Sequence, residues 1–206
     1  MTLSRISAFH YFRLIYRGAI FIWALLTLIL SKPFHVLSFG EAIDTYKWLF
    51  IVIWVVLTIE MILRFFPSST ESMGCQKQFK KNFIPVEGAT PDTKKANHGV
   101  LTALASWIAL NGFIAVLHST GIIQDGILLL VALFYSVSDM ICILFFCPFQ
   151  TWMMKNRCCT TCRIYNWDYA MICTPLLLIW HPYTLSLSAL SLILLFRWEF
   201  TAYLHS

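Results

Sequence analysis

"LIYRGAIFIWALLTLIL" occupies residues 14–30. One charge, Arg17, stands near its start, and none follows. An α-helix rises 1.5 Å per residue, so about 20 such residues cross the hydrocarbon core of a bilayer. Further apolar blocks cover Trp48–Phe66, Gly99–His118, Gly126–Phe146, Tyr169–Tyr183 and Thr184–Trp198. The last two are short and share the break "HPY" at His181–Tyr183. Pro182 suits a tight turn between two crossings, and a re-entrant hairpin is the alternative. Composition agrees with this division. The 206 residues are 59% hydrophobic and 12% charged, whereas a soluble domain carries roughly a quarter charged residues. The sequence therefore predicts an all-α polytopic integral membrane protein. It is expected to form a six-helix bundle in a single transmembrane domain over residues 1–206, with cytoplasmic N- and C-termini.

The basic residues set the orientation. With six crossings and a cytoplasmic N-terminus, thirteen of the 15 Lys and Arg residues fall on inner segments, and only Lys32 and Lys47 fall outside. Cytoplasmic loops of membrane proteins carry this excess. The expected location is the plasma (inner) membrane, with loops 67–98 and 147–168 cytoplasmic. Trp48, Trp167, Trp180 and Trp198 fall near the predicted interfaces, as an aromatic belt requires. The first span reads as a retained signal anchor, because no small-residue cleavage site follows it. The net charge of +5 reflects orientation and attraction to anionic headgroups, and no nucleic-acid partner is implied. In "CQKQFKKNF" (residues 75–83), Phe79 and Phe83 lie one helical turn apart among Lys77, Lys80 and Lys81. That mix suits a short helix lying on anionic lipid, and also suits a solvated loop whose lysines only set topology. Asn166 or Asp168 is placed to cap the fifth helix, which gives Asp168 a structural role.

The second inner loop contains "NRCCTTCRIYNWDYAM" (residues 156–171). Of seven cysteines, Cys142 and Cys173 lie within spans, and Cys75, Cys147, Cys158, Cys159 and Cys162 lie at or beyond cytoplasmic ends. The cytosol is reducing, so a disulfide framework is not expected. Cys159 and Cys162 form C-x-x-C, in which both sulfurs can reach one centre. With Cys147, and with Cys158 or Cys75 as the fourth ligand, they make a candidate site for an iron–sulfur cluster or zinc. Adjacent Cys158 and Cys159 point in different directions, so one of the two is spare. A dithiol exchange role is the alternative, with Arg157 and Arg163 favouring thiolate. Reduced cysteines also fill bends as small apolar residues.

Ionisable groups within spans are costly and mark pathways or bundle contacts. Glu60 and Asp139 fall at similar depth in the second and fourth spans. Arg64, four residues after Glu60, is the expected partner of Glu60. Asn111 in the third span is the candidate partner of Asp139. His98 and His118 bracket the third span and His181 closes the fifth. Haem ligation would need such interfacial histidines to face one another, with His10 or His205 completing an inner pair, and haem is not the favoured cofactor.

No serine-hydrolase, zinc-protease, P-loop or dinucleotide fingerprint is present. Three functions remain. The first is a metal centre on the cytoplasmic loop that passes or senses electrons. The second is a small transporter or ion-handling protein using the intramembrane acids. The third is a non-catalytic membrane interaction subunit whose partner protein is unknown.

Overall fold

A computed structural model of the chain describes residues 5–30, 39–66, 93–154 and 163–204. All the regular structure among them is helical. In order these elements are α1 (Arg5–Leu30), α2 (Phe39–Thr45), α3 (Lys47–Phe65), α4 (Thr93–Ser119) and α5 (Asp125–Leu144). A π-helical stretch (Phe149–Met154) and a 3-10 helix (Arg163–Trp167) come next. The chain then forms α6 (Asp168–Cys173), a second 3-10 helix (Thr174–Leu178) and α7 (Pro182–Leu204). Five segments are long and apolar enough to cross a membrane: Ala8–Leu30, Lys47–Phe65, His98–Ser119, Asp125–Leu144 and Pro182–Thr201. Their outer surfaces carry exposed Ile15, Ile59, Phe113, Phe134 and Phe196. Such side chains are stable outside a core only against lipid or another apolar surface.

Ring and hydrogen-bond contacts give the direction of each helix. Tyr11 meets Phe145 and Phe21 meets Phe134, so α1 and α5 run antiparallel. Tyr183 donates to the Phe50 carbonyl at 2.8 Å, Trp54 donates to Ser186 at 2.9 Å, and Arg197 lies over Phe65. Thus α3 and α7 run parallel. The bundle has one end marked by Arg64 and another marked by Tyr183. Between α4 and α5 the chain turns at Gly121, whose φ of 76° closes the turn in the left-handed region that favours glycine.

The expected fifth span, Tyr169–Tyr183, is not a continuous helix. Asp168–Leu178 is shorter than a membrane crossing, and it changes from α to 3-10 form at Thr174. Pro175 has no N–H to continue the α-helical ladder, and 3-10 geometry gains about 2.0 Å per residue. Tyr169, Ile172, Cys173, Leu176 and Ile179 are all buried. One face of this segment fills the core, while Leu177 on it is exposed. The expected sixth span, Thr184–Trp198, is longer than its apolar run suggested, because Pro182 starts α7 and the helix continues to Leu204. The helix expected from Gly99 already begins at Thr93.

The aromatic belt is partly different from expectation. Trp48 and Trp180 are well exposed at the Tyr183 end, but Trp198 is buried in the core cluster. Trp167 is half-buried and donates to Glu199 at 2.6 Å.

Candidate functional site

Six ionisable side chains converge towards the Arg64 end of the bundle. They are Arg13 and Arg17 on α1, Glu60 and Arg64 on α3, Asp139 on α5 and Asp168 at the start of α6. The set holds three cations and three anions, so it is neutral at formal charge. Helix periodicity explains the α1 contribution. Residues 13 and 17 are four apart and share a face, and Tyr16 lies beside it. The same spacing puts Glu60 and Arg64 on one face of α3.

Arg17 is the centre. Its Nη2 donates to Glu60 Oε2 at 2.7 Å and its Nε to Glu60 Oε1 at 3.3 Å, a two-pronged contact. Its Nη1 donates to Asp139 Oδ2 at 3.2 Å and to the Ser136 carbonyl at 2.9 Å. The phenolic oxygen of Tyr169 takes a further bond at 3.2 Å. One guanidinium therefore links α1 to α3, α5 and α6. Its planar fork of five donors makes this possible, and a lysine could not reproduce it. The Tyr16 hydroxyl also donates to Glu60. Arg64 donates to Asp168 Oδ2 at 3.2 Å.

The three acids differ in enclosure. Side-chain exposure is 5% for Glu60, 7% for Asp168 and 19% for Asp139. Glu60 is clamped by three donors from α1. The one Arg17 nitrogen that reaches Asp139 is shared with a backbone carbonyl. Beside Arg17 and Ser136, Ile20, Ile53, Leu57 and Leu133 line a partly open pocket of about 10 Å³. That is close to the space one water needs. It extends from the network towards the Tyr183 end.

The expected pairings are corrected. Glu60 does not pair with Arg64 on its own helix. Arg17 and Tyr16 reach it from α1, and Arg64 turns to Asp168 instead. Asn111 does not serve Asp139. Its side-chain nitrogen donates to the Trp107 carbonyl one turn back on α4, at 3.1 Å, while Asp139 is held by Arg17. Asp168 keeps a local role, since its Oδ1 accepts from the Tyr169 N–H at 2.9 Å. Its other oxygen carries the ion pair. The N-cap of α6 is Trp167, without a side-chain capping bond. Arg13, Arg17, Tyr16 and Tyr169 were missed as site residues. The available signal was a pair of arginines four residues apart on one face of the first helix, with the second of them inside its apolar run.

Among the cysteines, Cys147 lies just after α5, and its carbonyl accepts from both the N–H and the hydroxyl of Thr151 at 3.0 Å. Cys75, Cys158, Cys159 and Cys162 lie outside the described residues, as do Lys77, Lys80 and Lys81. Among the described residues no three His, Cys, Asp or Glu side chains are grouped to hold a metal ion. The histidines are dispersed. His118 pairs with Asp125 at 2.8 Å, and His181 Nδ1 accepts from the Tyr183 N–H at 3.2 Å. His98 is exposed and His10 is buried.

Comparison with protein-family models, curated proteins and solved structures finds no match for this chain.

Removing one member of a buried ion pair strands the other, a loss of about 3–5 kcal/mol. Arg17→Gln is therefore expected to lower the thermal midpoint in detergent sharply or to abolish monodisperse protein. Arg17→Lys should restore little of the loss, because it cannot fork. Asp139→Asn should be much milder, since Arg17 keeps Glu60. Thermal unfolding followed by size-exclusion chromatography ranks the three variants.

Proposed function

We propose that this protein is an ion-handling membrane protein of transporter type, in which a proton loads at Asp139 and thereby releases one arm of Arg17. The observation that carries this is the division of one guanidinium between two unequal acids. Glu60 is enclosed and multiply bonded, whereas Asp139 is partly exposed and takes a single shared nitrogen. Protonation of Asp139 removes its charge and weakens the Arg17 contact. Arg17 keeps its hold on Glu60, so α1 stays tied to α3 while its tie to α5 loosens. Loss of the proton to the opposite side resets the pair. Carboxylates inside bundles commonly serve as proton sites of this kind. The water-sized pocket beside Arg17 supplies a step towards the Tyr183 end.

In this proposal the Arg64 end faces the cytoplasm of the plasma membrane, and the broken segment 168–181 acts as a sixth crossing within the bundle. Lys47, Glu41 and Asp44 sit at the outer face, and the arginines sit on the inner side as the positive-inside bias requires. Non-helical backbone at membrane depth is tolerated where it is buried in protein, and Leu176 and Ile179 of this stretch are buried.

A second proposal keeps the metal centre on the cysteine loop. Its support is the anchoring of the loop's two ends. Phe149 and Met153 before it, and Ile164 and Trp167 after it, pack on the same cluster with Val100 and Ala103 of α4. Iron–sulfur or zinc ligation by Cys147, Cys159 and Cys162, with Cys158 or Cys75, would serve electron transfer or sensing.

Reconstitution into vesicles with an internal pH dye tests the first proposal. The wild-type protein should dissipate an imposed pH gradient, and Asp139→Asn should slow this at least about tenfold, the scale of 1.4 kcal/mol in a barrier. No flux from the wild type, or equal flux from the variant, removes the proposal. For the second, anaerobically purified protein should carry stoichiometric iron or zinc that Cys159→Ser and Cys162→Ser lose. Metal-free wild-type protein would count against it.

A further inference from the structure

Buried donors normally find acceptors within the chain. One side chain on α1 breaks this pattern at the Arg64 end, and a second there has few polar contacts. His10 is 5% exposed, and neither ring nitrogen has a hydrogen-bond partner among the described residues. A neutral imidazole offers one donor and one acceptor, and an imidazolium offers two donors. The charged groups acting on His10 are Arg13, Arg64 and Arg17, all cations.

Arg13 is the second. Its side chain is 5% exposed, and its ion pair is with Glu60 Oε1 at 3.8 Å. That distance is too long for a hydrogen bond, and Glu60 is already committed to Arg17 and Tyr16. The guanidinium otherwise lies over the Phe9 ring at 4.6 Å. Among the described residues Arg13 donates no hydrogen bond, although a guanidinium has five N–H groups to place. Residues 10 and 13 are one turn apart on α1 and share a face. Arg64, which acts on His10 electrostatically, faces them from α3.

A buried imidazole with no hydrogen-bond partner among the described residues, next to a guanidinium that donates no hydrogen bond there, matches one ligand chemistry. An oxyanion supplies negative charge and several acceptor oxygens at once, and arginine forks suit its geometry. The location matches a headgroup level. Tyr11 meets Phe145 at the C-terminal end of α5, and Arg64 is in the last turn of α3. We propose that His10 and Arg13 of α1, with Arg64 of α3, form a binding site for one phosphate-type oxyanion at the Arg64 end of the bundle. The oxyanion is either the phosphate of a membrane lipid or free phosphate. The site is separate from the proton site at Asp139, and it stands whether or not that acid moves a proton.

The test uses the full chain in a neutral maltoside detergent. Native mass spectrometry reads retained phospholipid, and the thermal midpoint is followed as inorganic phosphate is added against chloride at matched ionic strength. One phospholipid retained per chain supports the lipid source. A phosphate-specific rise in midpoint in delipidated protein supports the free ion. In either case the effect should be lost in Arg13→Gln and in His10→Gln, and kept in Asp139→Asn and Lys47→Gln. Lys47 is exposed at the far end of α3 and serves as the control. Two variants guard against a folding failure in one of them. Absence of both retained lipid and phosphate response in the wild type overturns the proposal. So does an effect that survives in a folded His10→Gln or Arg13→Gln protein.

Discussion

The Arg17 guanidinium is the contact on which the bundle depends. It joins α1 to α3 through Glu60, to α5 through Asp139 and the Ser136 carbonyl, and to α6 through Tyr169. Between helices in lipid there is little hydrophobic drive, because lipid tails are as apolar as the side chains they would replace. Polar contacts and close packing then decide which faces meet. A lone arginine at this position would be expelled towards water. Held by two carboxylates, a carbonyl and a phenol, it instead fixes the rotation of α1, an otherwise largely lipid-exposed helix. The same low dielectric that strengthens these bonds makes each member costly to remove alone.

Charge balance has a functional edge. A neutral cluster in which every partner is equally buried would be a lock. Here the acids are unequal, and the most open of them holds the most shared arm of Arg17. In the proposed function, a change of one proton at Asp139 acts on the contact between α1 and α5 and leaves the contact between α1 and α3 in place. At the Arg64 end, His10 has no hydrogen-bond partner among the described residues, and this is the observation behind the proposed oxyanion site. The cysteine loop starts and ends near this end too, so its chemistry would take place next to the charge network.

The helical class was legible from apolar block lengths, and four of the five membrane-length helices fall close to the blocks read from sequence. Glu60, Arg64 and Asp139 were legible because charge inside an apolar run is costly wherever it occurs. Their partners were not. Glu60 and Arg64 satisfy the local spacing rule for a helix pair, but that rule knows nothing of an arginine on α1. Arg13 and Arg17 had a sufficient explanation in topology, which hid a second role. Asp168 is expected to cap a helix, but Trp167 holds the cap position and Asp168 is the first helical residue, with an oxygen in an ion pair that only the fold supplies. The expected fifth crossing differs from a continuous α-helix for a related reason. Apolar length was counted at α-helical rise, while the chain changes to 3-10 form at Thr174, next to Pro175. Facing geometry is a long-range property, and one sequence alone does not contain it in readable form.

The central claim is that neutralising Asp139 loosens α1 from α5. Spin labels placed on exposed Phe12 of α1 and exposed Ile141 of α5 measure that contact directly, by pulsed electron resonance in lipid nanodiscs. Asp139→Asn should lengthen or broaden the distance distribution relative to the unmutated pair. A pair on α1 and α3, at Phe12 and Ile62, should stay unchanged. If the α1–α5 distribution in the variant superimposes on that of the parent, Arg17 does not act as a releasable link and the account fails.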